Sequence, residues 1–384
     1  METSSGKTSL TLHTPGKSSK ASPADVRRNN RLLIFSLLFP SRQYSRAELG
    51  RKTGLSRVAV SDVVGDMLDE GILRENGQET HNTGKGKHGT LLGVDTTRLH
   101  VISIDLSEAH LIRGAVTNLL GAPLIHSETV LGAGEKVRPE DVIRLIEKLS
   151  KRTSNIIGIG IAATGVVQDG VIRRSTELGW ENLDLKTPLE QRFKMPVFIT
   201  NDAAASVLTE RYFGQAGPNV LFVKIDRGIG SATLIDDTVI VGENHAGGEI
   251  GHISIDPNGP LCRCGKHGCL EMALSAPALR KRLHGKNADE QTRILADAGQ
   301  QLASALSMPI GLLDVQDVCI YGPPDIINST FCDAAQGYAD RTTASTFRKH
   351  TTIRRCQCGP DISLTGAAII VSHNYISDRA VQRQ

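Results

Sequence analysis

The apolar positions of this chain change rhythm twice. Residues 1–24 hold few of them, with Pro15 and Pro23 among Ser, Thr and Lys, and read as a disordered tail. From Asp25 the spacing turns helical: Leu32, Leu33, Phe35, Leu37 and Leu38 mark a helix that ends before Pro40. Ser45 with Glu48 predicts a capping box opening a second helix over 46–52, and Gly54 supplies the turn that ends it. Ser56 caps a third helix whose buried stripe is Val60, Val63 or Val64, Met67 and Leu68. Arg57, Ala59, Ser61 and Asp62 fall on its other face. A strand at 71–73, a Gly/Lys-rich stretch at 82–89 and a strand at 90–94 follow.

Beyond Asp95 strands alternate with helices. Strands at 100–106, 110–117 and 123–130 predict a meander, followed by a helix at 139–152, an apolar buried strand at 155–162, a strand at 197–200 and a helix at 202–213. The pattern then recurs, with strands at 220–225, 231–235 and 239–241, a long helix at 291–306, a strand at 315–321 and a closing helix at 364–373. Two similar α/β halves with a ligand cleft between them are the expected layout.

The first part, 25–95, follows the plan of a winged helix-turn-helix, whose second helix enters the DNA major groove by its N-terminal residues. Ser56, Arg57, Ala59 and Ser61 are then the residues offered to DNA, with Lys85 and Lys87 at the wing tip. Charge supports this weakly. The net charge is +3, and residues 1–95 hold 14 Lys and Arg against 10 Asp and Glu. Asp62 argues the other way, unless it accepts from a cytosine amino group. A small three-helix interaction module is the plain alternative. With 39% hydrophobic and 22% charged residues the rest is ordinary for a soluble protein. No apolar run is long enough for a membrane span, and the first residues lack the apolar core of a signal peptide, so a cytoplasmic protein is expected.

The chemistry concentrates at 249–271. His252, Cys262, Cys264 and Cys269 form a Cys3His set at short spacing, which suits a structural zinc ion, with Gly259, Gly265 and Gly268 letting the loop fold back. Reduced cysteines in a loop are the plain alternative. Lys266 favours thiolate at its neighbours. Such a clamp would pin Glu249 and Glu271 on one rim, and a histidine giving one ring nitrogen to zinc keeps the other as a donor. Two acceptors and one donor, rigidly held, fit a polyhydroxylated ligand. Of the four remaining cysteines, Cys319, Cys332, Cys356 and Cys358, the Cys356-x-Cys358 pair could be a second metal fragment, but no partner nearby in sequence completes it, and reduced structural thiols are the expectation.

Gly248-Glu249-Ile250-Gly251-His252, followed by Cys262-x-Cys264-Gly-x-x-Gly-Cys269-Leu270-Glu271, resembles the signature of the ROK family of bacterial sugar kinases and sugar-responsive repressors. The resemblance covers about residues 27–375. It implies an actin-like, ribonuclease H-type ATPase fold of two lobes over 96–384, preceded here by the winged helix-turn-helix, with structural Zn²⁺ on His252, Cys262, Cys264 and Cys269. It implies sugar contacts from Asn201, Asp202, Glu249, His252 and Glu271. Gly179-Trp180 also resembles a family motif beside the sugar.

In family kinases the residue matching Asp202 is the catalytic base. The nucleotide-binding parts depart from the kinase pattern. Asp105-Leu106-Ser107-Glu108-Ala109 stands where kinases have Asp-x-Gly-Gly-Thr, and Asp226-Arg227-Gly228-Ile229-Gly230 where they have Gly-Thr-Gly-Ile-Gly. Tyr321-Gly322-Pro323-Pro324 occupies the usual Gly-Gly adenosine turn. The expectation is therefore a sugar-responsive repressor with a vestigial base, Asp202, and no enzymatic role. Its partners would be double-stranded operator DNA and a sugar or sugar phosphate, and it would assemble as a homodimer or homotetramer. Ligand would alter the placement of the two halves and so the spacing of paired DNA-binding heads. The alternatives are an ATP-dependent sugar kinase with an appended DNA-binding domain and a sugar sensor without DNA.

Overall fold

A computed structural model describes residues 22–78, 89–132, 134–344, 346–347 and 350–378. Most of the expected tail and the wing tip with Lys85 and Lys87 lie outside the described residues. Helix α1 (Pro23–Leu38) starts before Asp25 because Ser22 and Asp25 form a capping box and Pro23 suits the first helical turn. Its buried face is Ile34, Phe35 and Leu38 with Arg31 among them, whereas Leu32, Leu33 and Leu37 are half-buried. Strand β1 (Tyr44–Ser45) leads into α2 (Arg46–Thr53), capped as expected by Ser45 and Glu48 and ended by Gly54 at φ 72°.

In α3 (Arg57–Asp69) the Ser56 hydroxyl accepts from the Ala59 N–H, and Val60, Val63, Val64 and Met67 are buried. Leu68 is half-buried. The strand expected at 71–73 instead starts at its last residue, as β2 (Leu73–Gln78). The N–H groups of Gly71 and Ile72 bond back to Leu68 and Met67 at the end of α3, so neither donates to the ladder, although the Ile72 carbonyl accepts from the Asp95 N–H. With β3 (Thr90–Val94) these strands form a sheet of order β1-β3-β2.

Next come β4 (His100–Glu108), β5 (Leu111–Thr117), β6 (Pro123–Val130), α4 (Pro139–Ser150) and β7 (Ile156–Ala163). A small sheet of β8 (Val166–Gln168), β9 (Val171–Ser175) and β10 (Trp180–Asp184), and helix α5 (Lys186–Phe193), interrupt the expected pattern before β11 (Val197–Asn201). The chain continues with α6 (Asp202–Phe213), β12 (Val220–Ile225), β13 (Ile229–Ile235), β14 (Thr238–Val239), α7 (Leu270–Leu274), α8 (Ala276–Leu283) and α9 (Ala288–Leu313). It closes with β15 (Asp317–Tyr321), α10 (Ser329–Thr342), β16 (Thr352–Arg355) and α11 (Ile362–Asp378).

The two main sheets repeat one topology, β11-β7-β4-β5-β6 and β14-β13-β12-β15-β16. In each, a three-stranded meander lies on one side of its own first strand and two later strands are added on the other. This is the two-lobed α/β fold expected from the sequence. Residues 1–162, 184–200 and 363–384 form one compact unit, and 163–183 with 201–362 the other.

In the first unit α4 buries Val142, Leu145, Ile146 and Leu149. Helix α11 approaches β7 so closely that a Cβ on Gly160 would lie 2.4 Å from the Ala367 carbonyl oxygen, so only glycine fits there. In the second, Leu221, Val223, Leu302, Ile320 and Phe331 belong to one core. Among the described residues, no helix is long and apolar enough to cross a membrane.

His373 of α11 sits edge-on to the rings of Phe35 and Phe39, each 5.3 Å away. Burial pushes its imidazole down to about 4, so the neutral form is folded into the core. A value below that of the unfolded chain means stability is held above pH ~6.5 and lost as pH falls towards 4. Acid unfolding of the wild type is therefore expected to begin at higher pH than that of His373→Leu. Coincident acid limbs in a circular-dichroism titration would contradict this.

Candidate functional site

The Cys/His loop is built by its own backbone. His252 ends a short 3-10 turn, Ile250–His252. The N–H groups of Ile255 and Asp256 both bond to the Gly268 carbonyl, and Cys262 N–H bonds to Lys266. Gly268, at φ 58°, packs against Asp256 so tightly that a Cβ would meet the Asp256 carbonyl oxygen at 1.7 Å. These contacts bring the four predicted ligands together, with all ligand atoms within 4.8 Å of one another. His252 Nδ1 is 3.6 Å from Cys262 Sγ, and Cys264 Sγ is 3.5 Å from Cys269 Sγ. A tetrahedral zinc ion with ordinary bond lengths requires roughly 3.5 Å between N and S ligands and 3.8 Å between two S ligands. The donor set thus fits one such ion. Burial works against the Cys264 thiolate, but the Lys266 N–H, then the Cys269 and Cys262 thiols, and last the Lys266 charge outweigh that and hold this thiol below the usual range.

The two ring nitrogens of His252 are divided as expected. Nδ1 faces the sulfurs, while Nε2 points to Glu249, 3.9 Å from its carboxylate. Glu271 leans further towards the thiols than the sequence suggests. Its Oε1 accepts from Cys262 Sγ at 3.3 Å and lies 3.5 Å from His252 Nδ1. Burial, and then the charges of Asp202 and Glu271, push the Glu249 carboxyl up to about 7. Three carboxylates therefore converge here, and a cation on the cysteine side would relieve their mutual repulsion.

Asp202 opens α6, and its Oδ2 accepts a 2.6 Å hydrogen bond from Lys224 Nζ, both side chains being largely buried. Lys224 lies in the otherwise apolar strand β12 and was not among the predicted site residues. Its one signal in the sequence is a lone charge inside Val220–Ile225, which needs a partner once buried. Asn201 Oδ1 caps α6 through the N–H groups of Ala203 and Ala204, and its Nδ2 donates to the Gly165 carbonyl. Much of its bonding capacity is thus spent on holding the strand-to-helix corner. Glu177, also unpredicted, joins Arg227 at 3.1 Å and Arg263 at 3.2 Å, tying the turn at 226–230 to the Cys/His loop.

The turns that differ from the kinase pattern are closed on themselves. Strand β4 runs through Glu108, and Asp105 Oδ1 accepts from the N–H and hydroxyl of Ser107 at 3.0 and 2.5 Å. Arg113 reaches Asp105 at 3.2 Å and Glu108 at 3.7 Å. The charge of Glu108 is met by this arginine. The backbone is nonetheless committed to a strand and its own turn. At the second turn Asp226 N–H bonds to the Gly228 carbonyl, and the Asp226 carbonyl accepts from Ala276.

On α3, Ser56, Arg57 and Ser61 are exposed and Ala59 is half-buried. The Ser56 hydroxyl is already engaged as the helix cap. Val58, which sequence reasoning passed over, is 70% exposed on the same first turn.

Residues 135–321 match the ROK family. The xylose repressor of Bacillus subtilis (strain 168) is 30% identical over 269 residues, covering 68% of this chain and 69% of that protein. The DNA-binding transcriptional dual regulator NagC of Escherichia coli (strain K12) is 26% identical over 280 residues, covering 70% of this chain and 68% of its own. The chain spans about two thirds of the length of the curated relatives it matches, 65% in one and 69% in another. Among solved structures, a ROK family transcriptional regulator described as a homolog of the E. coli MLC protein superposes with a TM-score of 0.76 at 19% identity, over 92% of this chain and 97% of its own. Kinases of the family share the fold over 71% of this chain. The chain belongs to the ROK family, in its repressor branch.

Proposed function

We propose that this protein is a sugar-responsive DNA-binding transcriptional regulator, a repressor of carbohydrate uptake or catabolism genes that does not act as a kinase. The zinc ion is held by His252, Cys262, Cys264 and Cys269 and keeps the rim rigid. Glu249, Glu271, Asp202, Asn201 and the free nitrogen of His252 bind the sugar. Arg57, Ala59 and Ser61, with Ser56 as the cap that positions them and Lys85 and Lys87 at the wing, meet the operator. Two copies or a multiple of two present paired heads to a two-fold operator. Ligand acts by binding one conformation better than the other, since only a difference in affinity can shift an equilibrium.

The observation that carries the regulator reading over the kinase reading is the Lys224–Asp202 ion pair. A catalytic base must accept the proton of a sugar hydroxyl in the transition state. Here that carboxylate already accepts from an ammonium group at 2.6 Å, and a hydroxyl must compete for it. Within the turns at 105–109 and 226–230 the N–H groups of Ser107 and Asp226 are already engaged, which favours the same reading, because phosphate binding by backbone needs open N–H groups.

A gel shift on the DNA upstream of its own gene, titrated with sugars and sugar phosphates, tests the proposal. A retarded band that one carbohydrate class removes or strengthens is the expected result. Arg57→Ala is expected to weaken the complex by about tenfold and to flatten its dependence on salt. Brisk ATP-dependent phosphate transfer to a hexose or amino sugar, abolished in Asp202→Ala, would establish the kinase instead. An Arg57→Ala protein with unaltered affinity and salt slope would remove DNA as the partner of this helix.

A further inference from the structure

The Cys356-x-Cys358 pair, which has no companion nearby in sequence, has one in space. Glu210, on α6 and fully buried, lies against both cysteines, and its carboxylate oxygen and the two sulfurs fall within 4.8 Å of one another. Oε2 accepts from Cys356 Sγ at 3.0 Å and from the Gln357 N–H at 3.2 Å. Oε1 accepts from Arg354 Nη1 at 2.7 Å and from the Gln215 N–H at 3.2 Å. Cys319 of β15 is buried as well, and it too is a free thiol. Tertiary structure thus supplies the companion that the neighbouring sequence lacks, and both cysteines are free thiols. We infer that Glu210, Cys356 and Cys358 form a second site for a thiophilic divalent cation of the zinc class.

Three features of the cluster point to a cation rather than to inert thiols. The first is a parallel inside the molecule. Both clusters are built on a Cys-x-Cys turn, Cys262-x-Cys264 and Cys356-x-Cys358, and in the second the backbone N–H of Cys358 bonds to the Cys356 sulfur at 3.4 Å. An N–H aimed at sulfur stabilises thiolate, the form that binds metal. The second is orientation. Arg354 is held in a fork by Asp317, at 2.9 Å for both contacts, and it fixes Oε1, so Oε2 is the oxygen that faces sulfur. Metal-binding carboxylates are usually oriented by such outer hydrogen bonds. The third is charge. Thiols that give up their protons beside a buried carboxylate concentrate negative charge in low dielectric, which a divalent cation would neutralise and Arg354 would partly offset. Cys358 is only partly buried and leaves a way in.

The test is a metal count on the full chain purified from zinc-supplemented medium. Release of bound zinc by a mercurial reagent, read with a colorimetric chelator, is expected to give two ions per chain in the wild type. Cys264→Ser and Cys358→Ser should each retain one ion, and the double variant none. Cobalt loaded into Cys264→Ser should produce a thiolate charge-transfer band that Glu210→Gln shifts and Cys358→Ser removes. One ion in the wild type, all of it lost in Cys264→Ser, overturns the inference. A disulfide linking two of Cys319, Cys356 and Cys358 in protein prepared under reducing conditions overturns it as well. Because the wild-type count requires no variant to fold, the test stands even if Cys358→Ser is unstable. It is also separate from the regulatory reading, since a single ion in the 252–269 loop would leave that reading untouched.

Discussion

Cys264→Ser is expected to lower the metal content by one ion per chain and to abolish the carbohydrate response, while binding to operator without sugar persists. The loop from His252 to Cys269 has little apolar core of its own: Ile253, Ile255 and Leu261 are 49, 40 and 62% exposed. What replaces the core is the Cys3His set, with sulfur and nitrogen already at the spacing of a tetrahedral site. Structural zinc sites contribute on the order of 10 kcal/mol of apparent binding energy, more than the few backbone hydrogen bonds of an exposed loop supply at about 1 kcal/mol each. Serine is a hard, protonated oxygen at neutral pH and does not replace a thiolate.

Loss of the ion frees His252 and removes the cation that offsets Glu249 and Glu271, so both rim carboxylates lose their fixed positions together. The helices α1–α3 share no residue with this loop, and their contribution to DNA binding is expected to remain. Metal analysis paired with a gel-shift titration reads both effects, with Cys332→Ser as the control thiol. A metal-free loop with undiminished induction would separate the ion from the sugar response.

What was legible in the sequence was local. The Ser45–Glu48 box, the left-handed Gly54, the Ser56 cap and the Cys/His spacing each depend on residues a few positions apart, and each formed as read. The fold class was legible because the strand and helix rhythm repeats. Less was legible where the partner is remote. Lys224 meets Asp202 across 22 residues, and Cys356 meets Glu210 across 146, with only an unpaired charge or thiol to mark either end. The small sheet β8–β10 escaped notice because its strands are three to five residues long and only partly buried. In α1 the buried face holds only part of the apolar set that marks the helix, Phe35 and Leu38. Leu32 and Leu33 look like core, but the chain buries Arg31 instead, because a buried arginine can be satisfied by partners that periodicity does not reveal.

That arginine carries the second large effect. Arg31 and Glu70 are 1% and 2% exposed, joined by bonds of 3.2 and 2.6 Å, and Arg31 Nε also donates to the Ile376 carbonyl of α11 at 3.1 Å. Glu70 is the residue that closes α3, so this one side chain ties α1 and α11 to the end of the proposed recognition helix. Removing one partner of a buried ion pair leaves the other charge desolvated, a loss of about 3–5 kcal/mol. Arg31→Met, which keeps the volume, is therefore expected to lower the melting temperature by on the order of 10 °C. It should also weaken operator binding, although Arg31 is too buried to touch DNA. The double variant Arg31→Met, Glu70→Leu removes both charges and should recover most of the loss, since an apolar pair of similar size often equals a buried ion pair. Thermal unfolding of the two single variants and the double variant forms the cycle that checks this. If Arg31→Met alone unfolds within a degree or two of wild type, the pair is not what anchors α3. If the double variant is no better than the single, the bond to the Ile376 carbonyl, and not the uncompensated Glu70 charge, is the part that matters.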